Sequence, residues 1–178
     1  MLISLKIMKQ LRKKDVQKHF KDLPDREHEI ILTLENIQYA TNVANIFRSS
    51  EAAGVSKLFL AGATKTPPFG KDLRKVSRAT EDRLKYEYVP NIVEHLKEIK
   101  NNGFTIISIE LTDNNILLSD LKDYLSDKRK VCFVAGSEDS GVSQKVLDLC
   151  DVSVTIPMYG KNASLNVNVS VGIVLFSF

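Results

Sequence analysis

Residues 152–178 read VSVTIPMYGKNASLNVNVSVGIVLFSF, and the prediction of the fold starts from this end of the chain. An apolar, β-branched run stops at Pro157, and Gly160 gives the next loop backbone freedom. Ser164 and Asn166 then precede a second apolar segment. Because buried polar side chains must find hydrogen-bonding partners, a purely structural loop has little reason to place Ser and Asn there. We interpret this stretch as a functional loop at the end of a buried strand.

A second loop of this kind lies upstream, where residues 135–141 read AGSEDSG after an apolar run. Its glycines would let backbone amides approach a ligand, although ordinary strand-to-helix turns have the same pattern. Open α/β sheets bind ligands at the carboxyl ends of their strands. The two loops therefore indicate a shared site at one edge of a sheet.

Apolar runs alternate with amphipathic segments along the rest of the chain. We predict buried strands at residues 30–34, 57–61, 86–89, 104–109, 131–135 and 152–156. We predict helices at residues 4–20, 42–53, 92–102, 118–125 and 142–149. Such alternation is typical of the α/β fold class, with a mostly parallel sheet of about six strands and helices on both faces.

Local signals refine this outline. Asn42 and Asn91 are placed to cap helices, which Gly54 and Gly103 would end. Residues 64–83 contain two adjacent prolines followed by several basic residues, a pattern that predicts a long, mobile, cationic loop.

The tail after residue 164 shows a different period. Its apolar residues alternate strictly with Asn166, Asn168, Ser170 and Gly172. The apolar residues are Leu165, Val167, Val169, Val171, Ile173 and Leu175. By this period alone, the tail is a half-buried strand.

The charge of the chain is small and unevenly distributed. A formal net charge of +3 does not by itself indicate a polyanionic partner. Basic residues are concentrated near the start, at Lys6, Lys9, Arg12, Lys13, Lys14, Lys18, Lys21 and Arg26. This run is either a solvated face or a nucleic-acid contact. We treat residues 1–28 as a basic N-terminal extension and residues 29–178 as the main domain.

Membrane, export and metal signals are not found in the sequence. No apolar run approaches membrane-spanning length and no apolar signal-peptide core is present, so we expect a cytoplasmic protein without a membrane partner. Cys132 and Cys150 lie far apart in apolar contexts, which favours reduced structural cysteines. The histidines His19, His28 and His95 are scattered, and we expect surface residues and no metal site.

Residues 42–54 read NVANIFRSSEAAG and place Arg48 in a mostly apolar predicted helix. Its charge needs an anionic partner. That partner is either a protein carboxylate, with Glu51 the nearest candidate, or a ligand, and the residues alone leave both open.

Three motifs in this order make a specific signal. They are Asn42 with Arg48 and Gly54, then Gly-x-Glu-x-x-Gly at residues 136–141, then Ile-Pro-Met-x-Gly with Ser-Leu-Asn-Val at residues 156–167. Over about residues 29–178, they resemble the signature motifs of the SpoU/TrmH branch of the SPOUT RNA methyltransferases. The chain departs from the usual pattern at Ala44, where Gly is common, and at Asn168 and Ser170, where smaller residues are common.

The resemblance implies a C-terminal trefoil knot, which no sequence pattern could predict because knots are rare among folds. It also implies that the tail after Ser164 is a helix, against its alternation. The implied cofactor is S-adenosylmethionine, without metal. The residues that match its binding positions are Gly136, Ile156 and Leu165, with Met158 and Gly160 nearby.

The implied reaction is methylation of a ribose 2′-hydroxyl in RNA, with transfer RNA preferred. Ribosomal RNA and a silent RNA-binding paralogue are the alternatives. Arg48 matches the catalytic position, as a base or as a clamp on phosphate and developing alkoxide. The rest of the implied site is Asn42, Glu138, Ser164 and Asn166, with Asn42 and Glu138 orienting Arg48. The residues expected to hold the RNA backbone are Lys71, Arg74, Lys75, Arg78, Lys13 and Lys14.

Residues 173–178 read IVLFSF, and an exposed apolar end of this size would be a liability in a monomer. The resembling family dimerises through its last helix, so we expect a homodimer. The alternative is a tail buried within its own subunit.

Overall fold

In the part of the chain that the structure describes, seven strands form one sheet in which every paired neighbour runs parallel. The computed structural model describes residues 10–12, 14–24 and 26–178, without the side chains of Lys14 and Gln17. The strand order is β3-β2-β1-β6-β4-β7-β5. The strands are β1 (Glu29–Glu35), β2 (Lys57–Ala61), β3 (Tyr86–Val89), β4 (Thr105–Ile109), β5 (Asn115–Leu117), β6 (Lys130–Ala135) and β7 (Val152–Thr155). This confirms the predicted α/β class, with one strand more than expected.

The missed strand is β5, an edge strand that pairs with β7 through Ile116 and Val154. It is only three residues long and begins with Asn115. The prediction failed here because a segment this short carries neither an apolar run nor a measurable period.

Helices cover both faces of the sheet, as predicted. They are α1 (Lys14–His19), α2 (Ala40–Ala52), α3 (Lys71–Ser77), α4 (Ile92–Asn101), α5 (Leu121–Tyr124), α6 (Gln144–Leu147) and α7 (Val167–Leu175). One buried layer joins Leu32 of β1 to Phe47 of α2 and Leu175 of α7. The layer on the other face joins Ile31 to Leu96 of α4 and Val146 of α6. Successive residues of β1 thus serve opposite cores, as a strand covered on both faces requires.

The ends of α2 and α4 test the predicted caps. Asn91 caps α4, because its side-chain oxygen accepts from the backbone N–H of Glu94 at 3.3 Å. The predicted cap at Asn42 is wrong: α2 begins at Ala40 after Tyr39, and Asn42 lies buried inside the first turn. Its side chain is used elsewhere, as described below. Gly54 follows α2 with a φ of 76°, which favours glycine.

Residues 64–83 are not the extended loop that the prolines suggested. They contain α3 and a 3₁₀ turn at Thr80–Asp82, and α3 packs against α2. Phe69 is buried in the core beside this helix. The apolar positions of α3 were too few to outweigh the proline signal. Helices α5 and α6 are also shorter than predicted, and α5 is preceded by a 3₁₀ turn at Leu118–Asp120.

The tail is helical, as the family resemblance implied and the alternation did not. Val171, Val174 and Leu175 of α7 are buried, at the three- and four-residue spacing of a helix face. They pack toward α2 and β4. Tertiary packing on this face decides the conformation over the local period. The trefoil knot stays a prediction.

The predicted helix at residues 4–20 falls partly outside the described residues, which omit residues 4–9 and 13 of it. Within them, the helix is α1, and residues 10–12 have no regular structure. Arg26 follows as an anchor, because its guanidinium donates to the carbonyl oxygen of Leu175 at 2.7 Å and lies 5.0 Å from the Phe178 ring centroid.

His95 is not the surface residue that was expected. It is buried on α4, with Nε2 3.4 Å from Thr33 Oγ1 and its ring 4.2 Å from that of Phe59. Burial lowers its pKa. His28 is partly buried beside the carbonyl of Leu125, and His19 is exposed.

Both cysteines are free thiols. Burial raises the pKa of Cys132 to about 12 and that of Cys150 to about 11. Each thiol therefore stays protonated near neutral pH, which suits a structural residue.

Candidate active site

A cleft of about 570 Å³ opens at the carboxyl ends of β4, β6 and β7. Its walls are residues 109–111 at the end of β4, the loop after β6, and the segment between β7 and α7. The volume lies in the range of small-molecule and cofactor sites. The position is the one that open parallel sheets use for ligands.

The loop after β6, residues 136–143, is closed on itself. Ser137 and Gly141 exchange two backbone hydrogen bonds of 3.1 and 2.9 Å. A Cβ at Gly136 would lie 2.1 Å from the carbonyl carbon of Gly141, so only glycine permits this close approach. Gly136 therefore shapes the cleft wall as backbone rather than as side chain.

Two carboxylates hold the far end of this loop. Glu35, buried at the end of β1, accepts from the Ser143 N–H at 2.9 Å and from the Ser143 hydroxyl at 2.6 Å. Glu110, after β4, accepts from the Val142 N–H at 3.1 Å and from the Leu111 N–H at 3.0 Å. Neither residue was predicted from the sequence. The signal that could have identified them is an acidic residue at the carboxyl end of an apolar strand, where open sheets form their sites.

An amide cluster joins α2, the loop after β6 and α7. The Asn42 side chain donates to Glu138 Oε1 at 2.5 Å, and its oxygen accepts from Asn166 at 3.2 Å and Asn168 at 3.1 Å. Asn166 also caps α7, accepting from the Asn168 N–H at 3.0 Å. Asn168, a departure from the family pattern, is thus part of the cluster. These bonds bring three of the predicted site residues together.

Most of the remaining predicted residues line the cleft. Gly136, Ile156, Met158 and Leu165 are on its walls, together with Glu138, Ser164 and Asn166. Gly160 is not among the lining residues, and its Cβ position faces open space. The wall thus combines apolar side chains, exposed backbone and carboxylates, which suits an adenosyl group with a cationic substituent.

Arg48 is exposed on α2 and makes no hydrogen bond or ion pair with any residue that the structure describes. Its proposed structural partner, Glu51, instead accepts from Arg83 Nε at 3.1 Å. Asn42 and Glu138 bond to each other and not to Arg48 within the described chain, so the expectation that they orient Arg48 stays a prediction.

The predicted RNA-binding residues of α3 differ in how far their charge is compensated. Arg74 pairs with Asp82 at 2.7 Å and Glu81 at 3.5 Å, and Lys75 pairs with Asp72 at 2.8 Å. Lys71 and Arg78 form no ion pair within the described chain. Arg78 and the next residue, Ala79, both have positive φ. Lys13 and the side chain of Lys14 lie outside the described residues.

The part of the chain that the structure describes contains neither a metal-binding cluster nor a membrane-spanning helix. No group of three or more His, Cys, Asp or Glu side chains there could hold a metal ion. None of the helices in residues 14–24 and 26–178 is long and apolar enough to cross a membrane.

Comparison with known proteins gives a consistent set of relatives. A sequence model of the SpoU rRNA methylase family matches residues 29–176. The chain is 32% identical over 157 residues to a tRNA (guanosine(18)-2′-O)-methyltransferase of Aquifex aeolicus, covering 86% of this chain and 70% of that protein. It is 31% identical over 159 residues to the 23S rRNA (guanosine-2′-O-)-methyltransferase RlmB of Xylella fastidiosa, covering 88% of this chain and 61% of that one.

Among solved structures, the fold is similar to that of the A. aeolicus TrmH/SpoU tRNA modifying enzyme. The TM-score is 0.75 at 29% identity, covering 91% of this chain and 81% of that one. The sheet, the cleft at its carboxyl edge and the family match over residues 29–176 agree with one another. The chain belongs to the SpoU rRNA methylase family.

Proposed function

We propose that this protein transfers a methyl group from S-adenosylmethionine to a ribose 2′-hydroxyl of RNA. The observation that carries the proposal is the amide cluster of Asn42, Glu138, Asn166 and Asn168 at the rim of the cleft. The cluster places fixed polar groups beside a wall suited to an adenosyl cofactor. Relatives named as RNA 2′-O-methyltransferases support the same reaction.

The cofactor supplies a methyl group activated by a sulfonium, so the protein has to bind, orient and manage a proton. We assign its binding to the backbone of Gly136 and the side chains of Ile156, Met158 and Leu165, all on the cleft wall. Gly160, predicted to lie near the cofactor, is not on the cleft wall, and a Cβ there would meet no other atom.

The ribose side of the site consists of Asn42, Glu138, Ser164 and Asn166. The carboxylate of Glu138 is an acceptor at the rim, held by its bond to Asn42. The cofactor would supply an electrophilic methyl group and leave as its neutral thioether, so these residues would have to orient the 2′-hydroxyl and accept or relay its proton. Oriented acceptors and donors at that point lower the barrier by placement and by charge stabilisation.

Arg48 would act on the RNA. A guanidinium does not deprotonate under ordinary conditions, so we favour a clamp on the adjacent phosphate and the developing alkoxide over a base. Its freedom from ion pairs in the described chain leaves it available for that role. Lys71 and Arg78, with the basic N-terminal extension, would add sequence-independent and salt-sensitive contacts to the RNA backbone.

Transfer RNA is the preferred substrate class. The A. aeolicus tRNA enzyme shares more of its length with this chain than the rRNA enzyme does, at 70% against 61%. Ribosomal RNA is the second candidate, because the identities, 32% and 31%, are nearly equal. A basic extension at residues 1–28 before the main domain would assist either substrate.

We also propose a cytoplasmic homodimer. Both cysteines are free, which is usual in a reducing compartment. Val169 and Ile173 of α7 form an exposed apolar stripe with Phe176, the residue directly after the helix, and a second copy would cover it.

Titration of the isolated protein with S-adenosylmethionine in a calorimeter tests the enzyme proposal against the silent-paralogue alternative. We expect binding without added metal. No binding at millimolar ligand would favour the silent paralogue. Mapping 2′-O-methyl marks in total RNA from a strain that lacks the gene would then separate transfer RNA from ribosomal RNA as the substrate.

A further inference from the structure

The charge of the cleft is one-sided. Three carboxylates, those of Glu110, Glu138 and Asp139, line it, and none of the lining residues is Lys, Arg or His. None of the three forms an ion pair with a described residue. The bonds they do make are to neutral groups: Glu138 accepts from an amide, and Glu110 accepts from two backbone N–H groups. The negative charge of the wall is therefore not neutralised within the described chain and can attract a cationic ligand.

The two forms of the cofactor that follow from the proposed function differ in charge. The donor carries a sulfonium, whereas the demethylated product has a neutral thioether and is otherwise identical. A specificity of this kind is a difference between two affinities, and a fixed charge changes one affinity more than the other. Opposite unit charges several ångströms apart at a partly buried site alter binding by roughly tenfold or more.

Glu110 is the best placed of the three carboxylates. Asp139 is exposed, so solvent screens its charge, and Glu138 belongs to the amide cluster of the ribose side. Glu110 is half-buried at the end of β4, and two backbone donors fix its carboxylate on the wall. A charge held in a part-buried position without a counter-ion acts on a ligand with little reorganisation.

We propose that Glu110 is a specificity-determining residue, which makes the cleft bind the cationic methyl donor more tightly than the neutral demethylated product. The inference rests on the proposed function, because it assumes the donor. It adds a functional consequence: the product loses its attraction to the wall on forming, so it leaves readily and inhibits weakly.

The test is calorimetric titration of three ligands against wild type and Glu110→Gln. The ligands are S-adenosylmethionine, S-adenosylhomocysteine, and an analogue in which an amine-bearing carbon replaces the sulfonium. The last is cationic but cannot donate a methyl group. In wild type, we expect both cations to bind at least about tenfold more tightly than the neutral product. In Glu110→Gln, the two ratios of dissociation constants should fall by roughly three- to tenfold.

Glu35→Gln is the matched control, because Glu35 holds the same loop through Ser143 but does not line the cleft. A purely structural loss of loop order should weaken all three ligands by a common factor and leave the ratios unchanged. Circular dichroism of each variant checks that it is folded. A second measurement needs no variant: the wild-type ratios of dissociation constants should shrink as the salt concentration is raised.

Two outcomes would overturn the inference while leaving the proposed function standing. One is wild type binding all three ligands with similar affinity. The other is Glu110→Gln weakening them equally, as Glu35→Gln should. Failure of wild type to bind any of the three is a different result, because it removes the proposed function itself.

Discussion

At the scale of single residues, Arg48 is the residue to which the proposed function assigns the RNA phosphate. It lies on α2, the same helix that supplies Asn42 to the amide cluster. Glu51, one turn further on, is already bonded to Arg83. An exposed guanidinium with no counter-ion among the described residues is expected to meet an anion, and a phosphate of the RNA backbone fits its planar, two-pronged geometry.

We predict that Arg48→Ala lowers the single-turnover rate of methyl transfer by roughly 10²–10⁴, the range for removing a group that handles a proton or stabilises charge. Affinity for S-adenosylmethionine should stay nearly unchanged, because Arg48 does not line the cleft. Arg48→Lys separates the two roles. As a clamp, lysine should restore little activity, whereas as a base it should restore activity that climbs with pH. Full activity in Arg48→Ala would mean that the site assignment is wrong.

His95 has a separate consequence, for stability. Its pKa is lowered in the folded protein, mainly by burial, with Lys57 acting in the same direction and Glu98 and Glu87 opposing it. The unfolded chain therefore binds a proton on this residue at a higher pH than the folded chain does. The contribution to stability is complete above the unfolded pKa of about 6.5 and is lost as pH falls below it.

We accordingly predict that the free energy of unfolding falls between about pH 6.5 and pH 5, and that His95→Gln makes this fall smaller. Urea unfolding of both proteins at several pH values measures it. Because the other titrating groups are shared, the difference between the two curves isolates His95. Parallel curves would show that the pKa of His95 does not change on folding.

At the scale of elements, α7 shows why a local period can mislead. The strict alternation after residue 164 matches a strand, yet the segment packs as a helix on α2. The first turn alone contains the polar residues Asn168 and Ser170, and Asn168 takes part in the amide cluster. These polar residues, at least one of which serves the amide cluster, therefore produced the alternation that is typical of a strand. Only the motif resemblance predicted the helix.

The two conformations differ in the residues they bury, which gives a stability test. A helix buries Val174, whereas the alternating strand would expose it beside a buried Ile173. We predict that Val174→Ala lowers the free energy of unfolding by about 2 kcal/mol, from lost transfer energy and a small cavity. Val169→Ala, on the exposed side, should cost less than about 1 kcal/mol when the protein is dilute enough to be monomeric. Urea unfolding measures both, and a reversed order would contradict the packing of α7.

Other elements differed in how far the sequence could predict them. Buried parallel strands such as β1 and β6 are continuous apolar runs, so they were predicted within a residue or two. Asn91 was recognisable as a cap because it precedes an amphipathic helix. The edge strand β5 and the helix α3 depend on neighbours distant in sequence, and no local pattern reveals them. The same holds for Glu35 and Glu110, whose roles depend on where the loop after β6 folds back.

At the scale of the whole molecule, the exposed apolar surface along α7 is the feature that bears on assembly. Val169, Ile173 and Phe176 are 43%, 36% and 59% exposed and follow one side of the helix. Phe178 next to them is partly covered by its own chain, against Phe133 and Arg26. The tail is therefore neither fully buried within its subunit nor fully exposed. The exposed stripe of Val169, Ile173 and Phe176 is the part that a second copy would bury.

We predict a homodimer by light scattering at micromolar concentration, and a shift toward the single-chain mass in Phe176→Asp, because a charge cannot be buried in an apolar interface without a partner. Leu117→Asp is the matched control, since Leu117 is a comparably exposed apolar residue on β5. It should leave the mass unchanged. A wild-type mass of one chain would count decisively against the dimer.

The most direct test of the central claim is to identify the methylated atom. The protein is incubated with S-adenosylmethionine carrying a deuterated methyl group and with either transfer RNA or ribosomal RNA, and the RNA is digested to nucleosides for mass spectrometry. We expect a deuterated 2′-O-methyl ribonucleoside, most abundant from transfer RNA and strongly reduced with Arg48→Ala. Label on a base, or no label in either RNA from a protein that binds the cofactor, would contradict it.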